Sequence, residues 1–146
     1  MASDTSKKFF TLKEANATLP LVRAIINDIT ELAGDLRDRY QRIVKVHAEQ
    51  GSLSDVYQEE LQQVVENFER DQERLQDFER ELEKLGVYLK DRHLGLVDFP
   101  CWLDDHEVYL CWRQGEADIG HWHEVEAGFA GRKKITTPNF PETDGP

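Results

Sequence analysis

Two long segments of this chain carry apolar residues at alternating intervals of three and four, and their registers agree when the chain is folded back on Gly51-Ser52. In the first segment, Val22, Ile29, Leu36 and Ile43 form one seam. Ile25, Leu32 and Val46 form the other, which Arg39 interrupts beside Tyr40. In the second segment the seam is Tyr57, Leu61, Val64, Phe68, Leu75, Phe78, Leu82 and Leu85, with Asp71 its polar interruption. So short a link forces two helices to lie antiparallel, and facing residues then have nearly constant summed numbers. Val46 falls opposite Tyr57, Ile43 opposite Leu61, Leu36 opposite Phe68 and Ile29 opposite Leu75. Ile25 falls opposite Phe78, Val22 opposite Leu82 and Leu19 opposite Leu85. Every pair is apolar, so the register is specified twice over.

The helix ends carry their own signals. Thr11 followed by Glu14 is a capping box. Pro20 lacks an N–H and disfavours helix at the residue before it. The expectation is a short helical turn over 12–17, a break or kink at Thr18-Leu19, and a long helix from Pro20 to about Gln50. A second helix is expected from about Ser54 to Leu85, closed by Gly86. A helix of roughly 30 residues is about 45 Å long, which is long for one small domain. Ile26, Tyr40 and Val65 add apolar surface beside the seams. A lone hairpin would leave part of it wet, so a homo-oligomer, most simply a dimer, is expected.

After Gly86 the periodicity changes. Val87-Tyr88-Leu89, Gly95 to Leu103, Glu107 to Arg113 and Asp118 to His123 are rich in β-branched and aromatic residues and separated by polar turns. Asp104-Asp105-His106 links the second run to the third, and a turn centred at Asp105 sets Asp98 opposite Trp112. Pro100 cannot donate to a ladder and is expected at an edge or bulge. The predicted fold class is therefore α+β: a long antiparallel, coiled-coil-like two-helix hairpin over 9–86, followed by a small antiparallel β-sheet of three to four strands over 87–135. Residues 1–8 and 136–146 are expected to be disordered tails.

Charge narrows the partners. The chain carries a formal net charge of −11, and residues 54–86 alone carry a net −7. An acidic surface repels phosphate backbones and anionic membranes, so neither nucleic acid nor a membrane is expected as a partner. No apolar run approaches the roughly 18 residues of a membrane span, and the polar start of the chain carries no export signal. A cytoplasmic location is expected. The two cysteines, Cys101 and Cys111, are too few for a disulfide framework and are read as reduced, buried packing thiols.

The residues able to carry chemistry lie in the β-region. His121 and His123 are two apart, so on a strand both imidazoles project from one face and could reach one transition-metal ion. His-x-His alone is a common accident, and spacing fixes no third ligand. Asp98 sits in an otherwise apolar run and needs a partner if buried, with Arg113 or Arg132 in reach. Glu124 follows His123 on the opposite face of a regular strand. Gly128 to Arg132 reads as a turn that tucks in Phe129, or as an anion-binding loop using Arg132. These residues define one candidate polar cluster: Asp98, Arg113, His123, Glu124 and Arg132.

A resemblance joins the motifs. Phe10-Thr11-Leu12 with Glu14-Ala15-Asn16 and Leu19-Pro20, Gly86-Val87, and Gly95 to Pro100 are its first half. Tyr109 to Arg113 with Gly115-Glu116, Trp122-His123-Glu124 and Gly128 to Arg132 complete it. With these, the chain resembles, over residues 9–135, an uncharacterised and mainly bacterial family catalogued as domain of unknown function twenty-two-oh-three. The resemblance implies no catalytic role, because that family has no assigned activity. It implies a recurring Trp-His-acid run at Trp122, His123 and Glu124, without a second histidine at His121. Weight shifts accordingly to His123, Asp98, Arg113 and Arg132. The sequence thus supports an oligomerising binding or scaffold protein with a site on its β-region for a protein partner or small anionic ligand. The alternative is a small metal-dependent or acid–base hydrolytic enzyme using Asp98, His123 and Glu124.

Overall fold

The computed structural model describes residues 7–49 and 55–136. Helix α1 spans Leu12–Glu49 and α2 spans Asp55–Leu85. The strands follow as β1 (Tyr88–Asp91), β2 (Leu96–Leu103), β3 (His106–Arg113), β4 (His121–Glu124) and β5 (Lys133–Lys134), with a one-turn 3-10 helix at Phe129–Gly131. The expected turn at Gly51-Ser52 and, of the expected tails over 1–8 and 136–146, residues 1–6 and 137–146 lie outside the described residues.

The capping box forms as its residues dictate. The Glu14 N–H donates to the Thr11 hydroxyl oxygen and the Thr11 N–H donates to the Glu14 carboxylate, each at 3.0 Å. The expected break at Thr18-Leu19 does not occur, because α1 runs unbroken through Pro20. Ala15, Leu19 and Val22, on either side of the proline, are buried in one stripe. A proline inside a helix costs roughly 3 kcal/mol, while each large apolar side chain fully buried contributes about 1.5–3 kcal/mol. Keeping the stripe continuous therefore outweighs the lost backbone bond.

The two helices pack antiparallel, and three of the seven expected facing pairs are found together. Ile43, Val46, Tyr57 and Leu61, two of the expected facing pairs, line one groove, and Leu36 and Phe68 line another hollow together. Burial is uneven along the hairpin. α1 buries residues from Ala15 to Leu36, whereas α2 buries Leu75 and Leu82 alone. Among the described residues, no side chain of 37–49 or 55–74 is buried.

The sheet is a meander, with strand order β1-β2-β3-β4-β5 and every pairing antiparallel. β4 begins at His121 rather than Asp118, and β5 is a two-lysine edge strand that no alternation announced. Lysines on an edge oppose pairing with another sheet. Asp104 and Asp105 both have positive φ, 49° and 66°, as a two-residue hairpin turn demands. Leu103 thus faces His106, and Asp98 faces Cys111 instead of Trp112. Pro100 lies within β2 but beyond the start of β1, and its carbonyl accepts the Phe10 N–H at 2.7 Å. Its missing N–H therefore points away from β3, and the ladder loses nothing.

Alternation sorts the side chains onto two faces. Val97, Phe99, Cys101, Leu103, Val108, Leu110 and Trp112 join the core with α1. The Phe10 ring meets the Phe99 ring edge-on at 5.2 Å, and the Arg23 guanidinium lies over Trp112. The outer face carries Asp98, Tyr109, Cys111, His121 and His123. The two cysteines are both free and buried, but they point to opposite faces and do not pack as a cross-strand pair.

Candidate functional site

The outer face holds three buried groups able to ligate a cation or share a proton. β2 supplies Asp98, β3 supplies Cys111 directly opposite it, and β4 supplies His123 opposite Tyr109. Asp98 and His123 are 2% exposed and Cys111 is 0% exposed. One ligand atom from each lies within 4.8 Å of the others. Three adjoining strands fix the three backbones, so the cluster is set by the sheet and not by loops.

Hydrogen bonds fix the histidine. Its Nδ1 lies 2.7 Å from the Glu124 carbonyl oxygen and its Nε2 3.1 Å from Asp98 Oδ1. A carbonyl only accepts, so Nδ1 carries a proton. One further proton then lies between Nε2 and Oδ1. Burial raises the Asp98 carboxyl above its usual 3.8, against the opposing pull of His123 and of the thiol that Cys111 donates to it. Burial also pushes the Cys111 thiol up to about 11, with Asp98 adding to the rise and Arg132 opposing it. Cys111 is therefore a protonated thiol at neutral pH and not an activated nucleophile.

A second layer leads outwards. Arg132 Nη1 lies 3.9 Å from Cys111 Sγ, and the guanidinium grips Glu116 with both nitrogens at 3.2 and 2.7 Å. The Glu116 carboxylate also accepts the Arg113 N–H at 2.9 Å. Burial works to raise the Glu116 carboxyl, and these donors outweigh it and hold it below its usual range. On the other flank, Tyr109 meets His123 edge-on at 5.6 Å and Tyr88 meets Tyr109 at 5.8 Å.

The structure brings Asp98 and His123 together and links Arg132 to them through Cys111. It does not bring in the other expected residues. The Arg113 side chain is exposed, and only its backbone N–H reaches the network. The Glu124 carboxylate turns to His106 Nε2 at 2.9 Å, leaving its carbonyl to His123. His121 shares the face of His123 but stands outside the converging group, with Nδ1 3.7 Å from Glu116 Oε2. Cys111 and Glu116 are the residues that sequence reasoning missed. The signal for Cys111 was the Asp104-Asp105 turn, whose two-residue length fixes the strand register.

A buried carboxylate, thiol and imidazole on the outer face of a hairpin-backed antiparallel sheet make a class of site that could hold a metal ion. The chain itself belongs to the family described as Uncharacterized conserved protein (DUF2203), whose model matches residues 8–135. No curated protein and no solved structure matches the chain. Among the described residues, no helix is long and apolar enough to cross a membrane.

Proposed function

We propose that this protein is a dimeric binding scaffold. Two hairpins pair through their distal halves, and the sheets are held out as the faces that meet a partner. The observation that carries this reading is the open half of the hairpin: thirteen residues at the end of α1 and twenty at the start of α2 contain no buried side chain. Tyr40, Val44, Val56, Tyr57 and Val64 are 45–67% exposed there. Tyr57 and Val64 line a groove of about 310 Å³ there with Ile43, Val46 and Leu61, rimmed by Arg42 and Glu60.

A second copy suits this surface for two reasons. The open segment supplies the roughly 20–30 residues a side that a stable interface uses. It also carries both signs of charge at its rim, so a two-fold arrangement can set Arg42 of one copy near Glu60 of the other and close a four-helix bundle. The hydrolytic alternative has less support, because Asp98 and His123 are closed off from substrate and the Glu124 carboxylate is engaged by His106. Capture of a small anion is likewise weakened by the Glu116 grip on Arg132. A transition metal, in this reading, stiffens the sheet.

Sedimentation equilibrium tests the dimer. The wild type is expected to reach dimer mass at micromolar concentration, and Val44→Glu with Val64→Glu is expected to return it to monomer with its helical content kept. A strict monomer at high micromolar concentration removes the proposal.

A further inference from the structure

We propose that Asp98, Cys111 and His123 form a zinc-type transition-metal site, with the Glu124 carbonyl orienting the histidine and the Arg132–Glu116 pair set against the thiol. The inference stands on the outer sheet face alone and is independent of the hairpin dimer.

Three features support it. The donor atoms are one carboxylate oxygen, one sulfur and one imidazole nitrogen, a mixed hard and soft set that suits a borderline ion such as zinc(II). Zinc bonds of about 2.0–2.3 Å to such atoms put tetrahedral ligands about 3.5 Å apart. The three atoms already lie within 4.8 Å of one another, with Nε2 and Oδ1 at 3.1 Å. The side chains need only small adjustments to admit an ion.

The histidine is also oriented as a ligand requires. Its Nδ1–H is committed to the Glu124 carbonyl at 2.7 Å, the outer hydrogen bond that fixes a metal-bound imidazole in one tautomer. That leaves Nε2 aimed at Asp98 and Cys111. The third feature is charge. A divalent ion is bound by the neutral imidazole, the carboxylate and the thiolate, whose two negative charges balance its own, so the loaded cluster is neutral. Arg132 contributes no uncompensated charge, because Glu116 pairs with it at 2.7 Å. Three protein ligands leave a fourth position on the ion, and at a cluster this buried it is filled by a water.

The site differs from a two-histidine site at His121 and His123. It uses Cys111, which points outwards, and excludes Cys101, which lies in the core on the opposite face. That difference makes the test specific. Metal-stripped full-length protein is titrated with cobalt(II), followed by zinc(II). The expected result is one ion per chain at micromolar affinity or tighter, with a thiolate-to-cobalt charge-transfer band and the visible bands of a tetrahedral centre. Zinc is expected to displace the cobalt and raise the melting temperature, and a chelator to reverse the rise. Titration in buffers of different ionisation heat should register close to two protons released per ion.

Cys111→Ser and Asp98→Asn are each expected to weaken binding by more than about 100-fold, beyond what an outer partner alone would cost. Cys101→Ser and His121→Ala are expected to leave the stoichiometry and the thiolate band unchanged. Should Cys111→Ser fail to fold, the wild-type and Cys101→Ser spectra still decide the matter. No ion bound at micromolar concentration, no thiolate band in the wild type, or a band lost in Cys101→Ser would each overturn the site.

Discussion

Arg39 Nη1 lies 2.7 Å from Asp71 Oδ2, joining the two residues that interrupt the apolar seams of the hairpin. The same guanidinium reaches Asp35 at 3.0 Å and stacks over the Phe68 ring at 5.8 Å. The pairing with Arg39 holds the Asp71 carboxyl below its usual 3.8. Its contribution is therefore present above the unfolded carboxyl value and is lost as the pH falls through the lower folded value. Both groups keep some solvent contact, so Asp71→Ala should cost only about 0.5–1 kcal/mol at pH 7. Replacing both residues with leucine should be neutral or stabilising. Urea unfolding of the wild type, Asp71→Ala and the double leucine variant measures both. A single-variant loss well above that range would mean that the pair is more deeply buried in solution.

Phe68 and Leu82 occupy the same seam and should respond differently. Leu82 is 0% exposed and Phe68 is only partly buried. Leu82→Ala is expected to cost about 2–5 kcal/mol. Phe68→Ala should fall below the roughly 3–5 kcal/mol typical of a fully buried phenylalanine. Reversal of Glu73, on the exposed face, should stay within about 0.5 kcal/mol. Chemical denaturation at low protein concentration gives the ranking. If the open half of the hairpin, which includes Phe68, pairs with a second copy, the Phe68 loss should grow with protein concentration.

The Asp98 carboxyl has its folded-state value raised, chiefly by burial. The native state therefore holds its proton more tightly than the unfolded chain does. The stabilisation is complete below the unfolded value and is lost as the pH rises through the folded one. Asp98→Asn removes the ionisation and keeps the shape. Relative to this variant, the wild type is expected to lose stability as the pH is raised from about 4 towards 8. Parallel denaturation curves across that range check the sign, and a difference that grows in favour of the wild type would contradict it.

Both thiols are pushed up to about 11 by burial. Alkylation requires the thiolate, so iodoacetamide at pH 8 should leave Cys101 and Cys111 unmodified in the native protein and label both after denaturation. Mass spectrometry of the two peptides reads the result separately. Zinc is expected to protect Cys111 further and to leave Cys101 unaffected.

Gly95 has φ +67°, and a Cβ built there would stand 2.7 Å from Gln114 Cβ and 3.0 Å from Ile26 Cγ2. The backbone of the turn is pressed between the sheet and α1. Gly95→Ala should be destabilising through both strain and overpacking, by about 1–3 kcal/mol. Thermal unfolding measures it. An unchanged melting temperature would mean that the helix and sheet can separate locally at no cost.

The hairpin was legible because two independent seams agree, and the sheet because aromatic and β-branched runs are bounded by polar turns. Pro20 misled because local propensity is a weak guide once residues on both sides are buried in one stripe. The lysine edge strand is two residues long, too short for any alternation to show. The site was half legible. Asp98 stood out as an acid in an apolar strand, and His123 within Trp-His-Glu. Cys111 did not, because a one-residue error in the Asp104-Asp105 turn moves every side chain of β3 to the other face. With the turn placed correctly, Cys111 faces Asp98. Glu116 sits in a loop, and no periodicity governs a loop.

Phe10 and Asn16, near the start of the chain, hydrogen-bond to the backbone of Pro100 and Ile119, about a hundred residues later. Every strand pairs with its sequence neighbour, and the two helices are neighbours as well, so most of the structure can form locally as synthesis proceeds. The first helix is the exception. Its buried face, from Ala15 to Leu36, packs on β2 and β3 as well as on α2, and the ribosome makes those strands after both helices. The nascent chain must therefore carry a greasy helix through most of its own translation, which makes α1 the natural place for a chaperone to hold it and the natural seed for aggregation if translation stalls before β3 is complete.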